Sequence, residues 1–327
     1  MGNSLSAAGE KMRPGVILFL SDLNVRLRGR TYLEPAGAHV ALASGRDLDT
    51  ALDHLERRAD CWALGLLGDL PEKLPTKRRI KLLEGRRLLL MDSERAPVAA
   101  LANVALEAGA DVEWHLSTEI DHRVVGAFAL PVAAVVLAAG AASRMGSNKL
   151  LLDLGGEPLV VHVVRAALEG GCFHALLVYS DPEVARVVAG RAEAVLNPEA
   201  ESGQASSLRV GLNHLPPRSS GALLMLGDQP LVGARSVALL LDAWRREGSP
   251  PAVAATYGER DRWLPPVVVS SELFGDLVGL QGDAGARQLF AEQPTLLGTI
   301  TVGGRPDDVD TPEDYERVIR LFPPREG

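Results

Sequence analysis

Residues 137–149 read LAAGAASRMGSNK and directly follow the apolar run VAAVV at residues 132–136. Such a continuous apolar run is typical of a central strand in a parallel sheet, which is buried on both faces. The small residues of the following loop leave its backbone N–H groups accessible to a phosphate or a base edge. Arg144 and Lys149 add two cations that could grip the phosphates of one nucleotide. The segment therefore predicts a strand that ends in a phosphate-binding loop.

The well-known phosphate loops do not match this segment, because neither GxxxxGK[ST] nor the Rossmann GxGxxG pattern occurs in it. The competing interpretation is a glycine-rich turn between strand and helix, with Arg144 and Lys149 facing solvent. Glycine, arginine and lysine all stand at the spacing that nucleotide binding requires, and this favours the functional interpretation.

Downstream of this loop, apolar strands alternate with amphipathic helices. We predict strands at residues 132–138, 175–180, 192–196, 221–226, 252–256, 266–270 and 295–302. We predict helices at residues 158–168, 182–189, 203–214, 232–246, 283–292 and 312–321, the last capped by Thr311. This alternation predicts an α/β fold of three αβα layers around a doubly wound, mostly parallel sheet, with ligands beyond the carboxyl ends of the strands.

Upstream of residue 130 the pattern predicts a smaller α/β domain. Its expected strands cover residues 15–21, 38–43, 61–67, 87–92, 111–115 and 123–129, and its expected helices cover residues 47–58 and 96–110. We expect residues 1–14 to be disordered, 15–130 to form this domain and 131–323 to form the catalytic domain. The first domain carries no phosphate loop and no carboxylate cluster, so the sequence predicts no role for it.

The composition argues against several functional classes. The 327 residues carry a net charge of −8 and contain no long basic block, which argues against a nucleic-acid partner. The two cysteines match no metal or redox spacing and fit a reducing compartment. The N-terminus lacks the apolar core of a signal peptide, and the apolar runs are too short to span a membrane. We expect a cytoplasmic protein with no membrane partner.

Residues 137–160, LAAGAASRMGSNKLLLDLGGEPLV, resemble the signature of the molybdenum cofactor nucleotidyltransferases, which belong to a larger group of sugar-phosphate and molybdopterin nucleotidyltransferases. The LAAG start with RMG-x-x-K is similar to the cytidylyltransferase branch, whereas the guanylyltransferase branch more often carries LAGG. The resemblance covers about residues 132–322. It implies a Rossmann-like nucleotidyltransferase fold, CTP and a molybdopterin-type acceptor as substrates, and Mg²⁺ as cofactor.

Three further segments continue the resemblance. NPEAESGQASSLRVGL at 197–212 is similar to the family's base-recognition segment. Taken alone, the segment is better explained by helix capping through Ser202 or Ser206, but beside the glycine-rich loop we favour base recognition. LGDQPL at 226–231 resembles a turn in which the family places a metal-binding aspartate, although an aspartate often simply fixes a turn. DVDTPEDY at 308–315 resembles a late acidic motif of the metal site, and is also a good helix start.

These segments assign the candidate site residues. The predicted nucleotide contacts are Leu137, Ala138, Ala139, Gly140, Ser143, Gly146, Ser206 and Ser207. The predicted catalytic residues are Arg144, Lys149 and Asp228. The metal would be held by Asp228 and Asp310, with Asp308 as the alternative second ligand. Acceptor contacts are expected from Asp283 and Arg287 in the segment GDAGAR.

One segment departs from the family. Residues 262–266 read RWLPP where the family usually has Gly-x-Pro, and this leaves the identity of the acceptor open. Three functions follow from these observations. The first is a CTP:molybdenum cofactor cytidylyltransferase that releases pyrophosphate, and the second is a nucleotidyltransferase for another phosphorylated acceptor such as a sugar phosphate. The third is a non-catalytic scaffold that binds nucleotide or cofactor and docks a molybdoenzyme or its chaperone. The intact Arg144, Lys149 and Asp228 favour catalysis.

Overall fold

The computed structural model divides the chain into two compact units, Met1–Ala129 and Leu130–Gly327. The residues that it describes are 15–20, 39–41, 48–57, 61–67, 70, 74–84, 86–92, 95–116, 127, 130–140, 148–217, 219–246, 250–258, 262–283 and 285–322. Residues 1–14, predicted to be disordered, lie outside these ranges. Among the residues described, no helix is both long enough and apolar enough to cross a membrane.

The first unit contains a sheet of five parallel strands in the order β2-β1-β3-β4-β5. The strands are β1 Gly15–Leu20, β2 His39–Ala41, β3 Cys61–Leu67, β4 Arg87–Asp92 and β5 Asp111–Leu116. The helices are α1 Leu48–Arg57, α2 Lys77–Ile80 and α3 Arg95–Glu107. Of the strand predicted at 123–129, only Ala127 is described, and it is helical, so the prediction is wrong at that residue.

The second unit contains a sheet of seven strands in the order β10-β9-β6-β11-β13-β12-β14. Its strands are β6 Val132–Ala138, β9 His174–Tyr179, β10 Glu193–Leu196, β11 Gly221–Leu226, β12 Ala252–Tyr257, β13 Leu264–Ser270 and β14 Leu297–Val302. Only β13 is antiparallel to its neighbours, and all other pairs are parallel. A separate hairpin joins β7 Asp153–Leu154 to β8 Glu157–Pro158. The predicted mostly parallel sheet is confirmed.

The helices of the second unit follow the predicted order. They are α4 Leu159–Glu169, α5 Pro182–Val187, α6 Gln204–Asn213, α7 Ala234–Arg246, α8 Phe274–Val278, α9 Ala286–Glu292 and α10 Pro312–Leu321. Helix α8 was not predicted. Helix α9 begins three residues later than predicted because Gly285 has a φ of 51°, outside the right-handed helical region. The predicted Thr311 cap is confirmed as a capping box with Asp314.

Strand β6 lies in the middle of the sheet, between β9 and β11. Its first five residues are buried, as expected for a strand covered on both faces. Helix α6 lies close against it at Gly211, where a Cβ atom would come within 2.4 Å of Val135 Cγ1. Because β6, β9 and β11 are parallel, their carboxyl ends meet at one edge of the sheet. The residues that directly follow β6 and β11 therefore lie side by side.

Candidate active site

Lys149, Asp228 and Asp310 come together beyond the carboxyl ends of β6 and β11. The Lys149 ammonium nitrogen lies 2.6 Å from Asp228 Oδ2 and 2.6 Å from Asp310 Oδ1. One cation thus bridges the two carboxylates that the sequence assigns to a metal site. These three predicted residues are up to 161 positions apart in the sequence, but their charged groups lie together.

Backbone hydrogen bonds fix this arrangement. The Gly227 N–H donates to the Leu137 carbonyl and ties the end of β11 to the end of β6. The N–H of Val309, which is fully buried, donates to the Asp228 carbonyl. Asp308 and Asp310 flank Val309 in the sequence. Because Val309 is held by this bond, both aspartates lie near Asp228. The acidic motif at 308–315 is therefore part of the site as well as the start of α10.

Asn148, the residue before Lys149, helps to position it. The Asn148 Oδ1 atom accepts from the Leu150 N–H and caps the short 3₁₀ helix Lys149–Leu151. The Asn148 Nδ2 atom donates to Asp181 Oδ2 over 2.8 Å, and Asp181 also caps α5. The end of the glycine-rich loop is thereby anchored to the loop after β9. The sequence analysis did not find Asn148 or Asp181.

The pKa values of Lys149 and Asp308 are set by burial and by the neighbouring charges. Burial lowers the pKa of Lys149, but the carboxylates of Asp228 and Asp310 outweigh burial and raise it. The pKa of Asp308 is also raised, first by burial of its carboxyl group and then by the neighbouring charge of Asp228. Lys149 is therefore a permanent cation at neutral pH, within a region of concentrated negative charge.

A cavity of about 400 Å³ lies next to Lys149, and we call it the nucleotide cavity. Its lining includes eight of the predicted site residues: Leu137, Ala138, Ala139, Gly140, Lys149, Ser207, Asp228 and Asp283. The predicted residues Ser143, Arg144 and Gly146 lie outside the described residues, so their contacts remain predictions.

Ser206 has a different place from the one predicted. It is buried, and its single hydroxyl hydrogen lies within reach of the Glu199 and Gly203 carbonyls while its oxygen accepts from Asn197 Nδ2. These contacts are all within the protein, and Ser206 does not line the nucleotide cavity. Ser206 does not cap the helix either, because the start of α6 has no side-chain cap hydrogen bond, whereas Ser207 reaches the cavity. Asn197, which bonds both serines, was missed as the residue that organises this segment.

A second cavity of about 220 Å³ adjoins the first, and we call it the acceptor cavity. Leu137, Gln204, Leu226 and Asp228 line both cavities. Of the two predicted acceptor contacts, Arg287 lines the acceptor cavity and Asp283 lines the nucleotide cavity. Asp283 is held there because Gly282 accepts a hydrogen bond from Ala205 at the start of α6. Gln204, at the junction of the cavities, was not predicted.

The carboxylates fit a magnesium ion. Asp228 and Asp310 already converge on one cation, and Mg²⁺ is typically held by one or two carboxylates together with substrate phosphates. Within the described part of the chain, no group of three or more His, Cys, Asp or Glu side chains forms a complete metal site. The donor set thus suits a metal that arrives with a nucleotide rather than one held by protein alone.

Comparison with known proteins agrees with this geometry. Residues 134–296 match the MobA-like NTP transferase domain. The purine catabolism protein PucB of Bacillus subtilis strain 168 is 30% identical over 202 residues, which cover 58% of this chain and 96% of PucB. The 2-C-methyl-D-erythritol 4-phosphate cytidylyltransferase of Streptomyces coelicolor is 35% identical over 134 residues, 38% of this chain and 49% of that protein.

Solved structures show the same relationship. Rv0371c of Mycobacterium tuberculosis H37Rv is 30% identical with a TM-score of 0.52, covering 58% of this chain and 98% of that one. A structure of Rv0371c in complex with manganese matches at 28% identity and a TM-score of 0.50, with the same coverage. The match to PucB over nearly the whole length of that protein, together with the matched domain, shows that this chain belongs to the MobA-like NTP transferase family.

Proposed function

We propose that this chain transfers CMP from CTP to the terminal phosphate of a molybdopterin-type acceptor, and so forms a dinucleotide cofactor and pyrophosphate. The observation that carries the proposal is the Lys149 ammonium bridging Asp228 and Asp310 where the two cavities meet. A nucleotide and an acceptor bound side by side would meet at this point. The α-phosphate would then lie beside the cation and the carboxylates.

The chain's residues have separate roles in this reaction. An acceptor phosphate oxygen forms a bond to the α-phosphorus while the bond to the bridging β-phosphate oxygen breaks, and pyrophosphate leaves. The acceptor is already an anion, so no protein nucleophile is needed. Lys149 neutralises charge on the transferring group, and Arg144 is proposed to assist. Asp228 and Asp310 would hold Mg²⁺, which supplies charge neutralisation at the phosphate oxygens.

The preference for CTP is supported by two observations. The LAAG and RMG-x-x-K elements are similar to the cytidylyltransferase branch. The Streptomyces coelicolor relative is named a cytidylyltransferase. That relative's name also keeps open a second acceptor class, the phosphorylated small polyols and sugars.

A pyrophosphate-release screen tests the proposal. The full chain is incubated with Mg²⁺ and each of CTP, GTP, ATP and UTP, in the presence of either molybdenum cofactor or a panel of sugar phosphates. We expect release with CTP and molybdenum cofactor, and release at least about 100-fold slower from a Lys149→Met variant. Release only with a sugar phosphate would replace the acceptor. Nucleotide binding without release in any combination would support a non-catalytic scaffold.

A further inference from the structure

Trp263 forms part of the wall of the acceptor cavity. It lies between β12 and β13, in the segment RWLPP at residues 262–266 that departs from the family pattern. Its side chain is half-buried and packs against the hydrophobic core of the second unit. The ring is therefore held by the protein on one side and available to a ligand on another.

Two contacts keep this wall in place. The Trp263 ring meets the buried Phe290 ring of α9 at a centroid distance of 5.8 Å and an interplanar angle of 83°. In a perpendicular contact of this kind, Phe290 covers at most one face of the indole. The Tyr257 hydroxyl donates to the Pro265 carbonyl over 3.0 Å and fixes the backbone that follows Trp263. The indole is therefore positioned before any ligand binds, which lowers the entropy cost of using it.

The lining of the acceptor cavity has two chemically different parts. Around Asp228 it is acidic, with Asp308 and Asp310 nearby. The rest is mainly apolar, and is formed by Leu208, Leu224, Met225, Trp263, Pro265 and Val267. Away from the carboxylates, Gln204 and Arg287 are the polar side chains among its described lining residues. Arg287 is the cation among them and can pair with a phosphate.

This distribution discriminates between acceptor classes. A sugar phosphate carries several hydroxyl groups, and each needs a hydrogen-bond partner when it leaves water. The apolar wall offers few such partners. A flat conjugated ring system needs none on its faces, and aromatic rings stack favourably against it. The cavity therefore suits a phosphate attached to a planar heterocycle better than a phosphate attached to a polyol.

We propose that Trp263 is the specificity-determining residue for the acceptor, and that it contacts the face of a planar heterocycle whose phosphate lies toward Arg287 and Asp228. This inference rests on the proposed nucleotidyl transfer and narrows its acceptor class. Trp263 takes no part in the bond-forming step. Its replacement should therefore act on acceptor binding and leave the nucleotide cavity unchanged.

Steady-state kinetics of Trp263→Leu and Trp263→Phe variants test the inference. We expect Trp263→Leu to raise the KM for molybdenum cofactor about tenfold, the size of one lost stacking contact, with the KM for CTP within about twofold of wild type. Trp263→Phe keeps an aromatic face and should recover most of the loss. Trp114→Leu, on the exposed side of β5 in the first unit, is the matched control and should change neither constant.

A binding measurement separates this inference from the proposed function. A 6-substituted pterin monophosphate is titrated into the full chain, and tryptophan fluorescence is compared between wild type, Trp263→Leu and Trp114→Leu. We expect the pterin to quench tryptophan fluorescence in wild type and in Trp114→Leu, but not in Trp263→Leu. We expect no such quenching by ribose 5-phosphate. Equal pterin affinity in wild type and Trp263→Leu would overturn the inference, as would stronger binding of ribose 5-phosphate. Pterin binding at Trp263 without pyrophosphate release would contradict only the proposed reaction.

Discussion

The ammonium of Lys149 and the carboxylate of Asp228 form a part-buried ion pair of 2.6 Å, and Asp310 makes a second pair of the same length with the same nitrogen. The carboxylates proposed to hold Mg²⁺ are therefore already paired with a lysine. A metal that binds them must displace that ammonium. Moving the ammonium away costs the least free energy when nucleotide phosphates are present to form a new ion pair with it. Metal and nucleotide should therefore bind together.

Replacement of Lys149 by Met should separate metal binding from catalysis. We expect kcat to fall by about 100-fold to 1,000-fold, because a charge that stabilises the transferring phosphate is lost. Without nucleotide, Mn²⁺ should bind more tightly than to wild type, because the ammonium no longer competes for Asp228. Pyrophosphate release and calorimetric titration of Mn²⁺ measure the two effects. Lys81→Met, an exposed site in the first unit, is the control. Unchanged Mn²⁺ affinity would refute the competition.

Asp310 and Asp308 should differ as metal ligands. Asp310 shares the Lys149 cation with Asp228, whereas Asp308 Oδ1 accepts from Gln229 Nε2 over 2.7 Å. We expect Asp310→Asn to raise the Mg²⁺ concentration for half-maximal activity about tenfold or more, and Asp308→Asn to raise it much less. Activity as a function of Mg²⁺ concentration at saturating CTP measures both. The reverse order would make Asp308 the second ligand.

The strands, the helices and most of the nucleotide cavity could be predicted because each depends on a short local pattern. The apolar run of β6 and the Thr311 cap are examples. Ser206 bonds only nearby residues, Asn197, Glu199 and Gly203, but the motif does not specify which of two adjacent serines faces the cavity. Asp283 could not be placed, because the partner of its loop, Ala205, comes from a distant segment. The same holds for Gln204, which reaches the junction of the cavities only because α6 lies against β6 at Gly211.

The stability of the metal-free protein should depend on pH in opposite ways through Asp308 and Asp314. Burial, followed by the charge of Asp228, raises the pKa of Asp308 above its usual 3.8. At a pH above its folded-state pKa, the Asp308 carboxylate is ionised and destabilises the folded state. This destabilisation disappears below pH 3.8. Asp308→Asn should raise Tm at pH 7, and the gain should shrink as the pH falls toward 4.

Asp314 is the matched case of opposite sign. Burial alone would raise its pKa, but hydrogen bonds from Thr311 and Arg317 outweigh burial and lower it below 3.8. Its stabilising contribution is present above pH 3.8 and is lost as the pH falls through the folded-state pKa. Asp314→Asn should therefore lower Tm at pH 7 by more than at a pH well below 3.8. Circular dichroism melts in EDTA measure both variants, and parallel pH profiles would contradict the assignment.

Asn197 should be a main structural support of the nucleotide cavity. It is buried, and its Nδ2 atom donates to Ser206 Oγ and Ser207 Oγ while Oδ1 accepts from the Glu199 N–H. Asn197→Ala removes all three bonds and should cost about 2–3 kcal/mol of unfolding free energy. The KM for CTP should also rise, because Ser207 lines the cavity. Asn213→Ala, at the exposed end of α6, should stay within about 0.5 kcal/mol in urea melts. Equal effects of the two variants would argue against this role.

Gly203 should be required both for its backbone conformation and for the space around it. Its φ of +107° strains any L-residue, and an added Cβ would lie 2.5 Å from Asp283 Oδ1 and 2.5 Å from the Gly282 carbonyl carbon. The clash cannot be relieved by a flexible side chain alone, so the 282–283 loop must move away from α6. Because Asp283 lines the nucleotide cavity, Gly203→Ala should raise the KM for CTP as well as lower stability.

Gly190→Ala separates strain from crowding in the Gly203 experiment. Gly190 has a φ of +76° and open space where its Cβ would be. We expect Gly190→Ala to cost about 1 kcal/mol from strain alone, with an unchanged KM for CTP. Gly203→Ala should cost at least about 1 kcal/mol more, because backbone atoms must shift. Urea melts and initial rates at varied CTP measure the difference. If both variants lose the same stability and keep the wild-type KM, contact between the 282–283 loop and α6 does not shape the cavity.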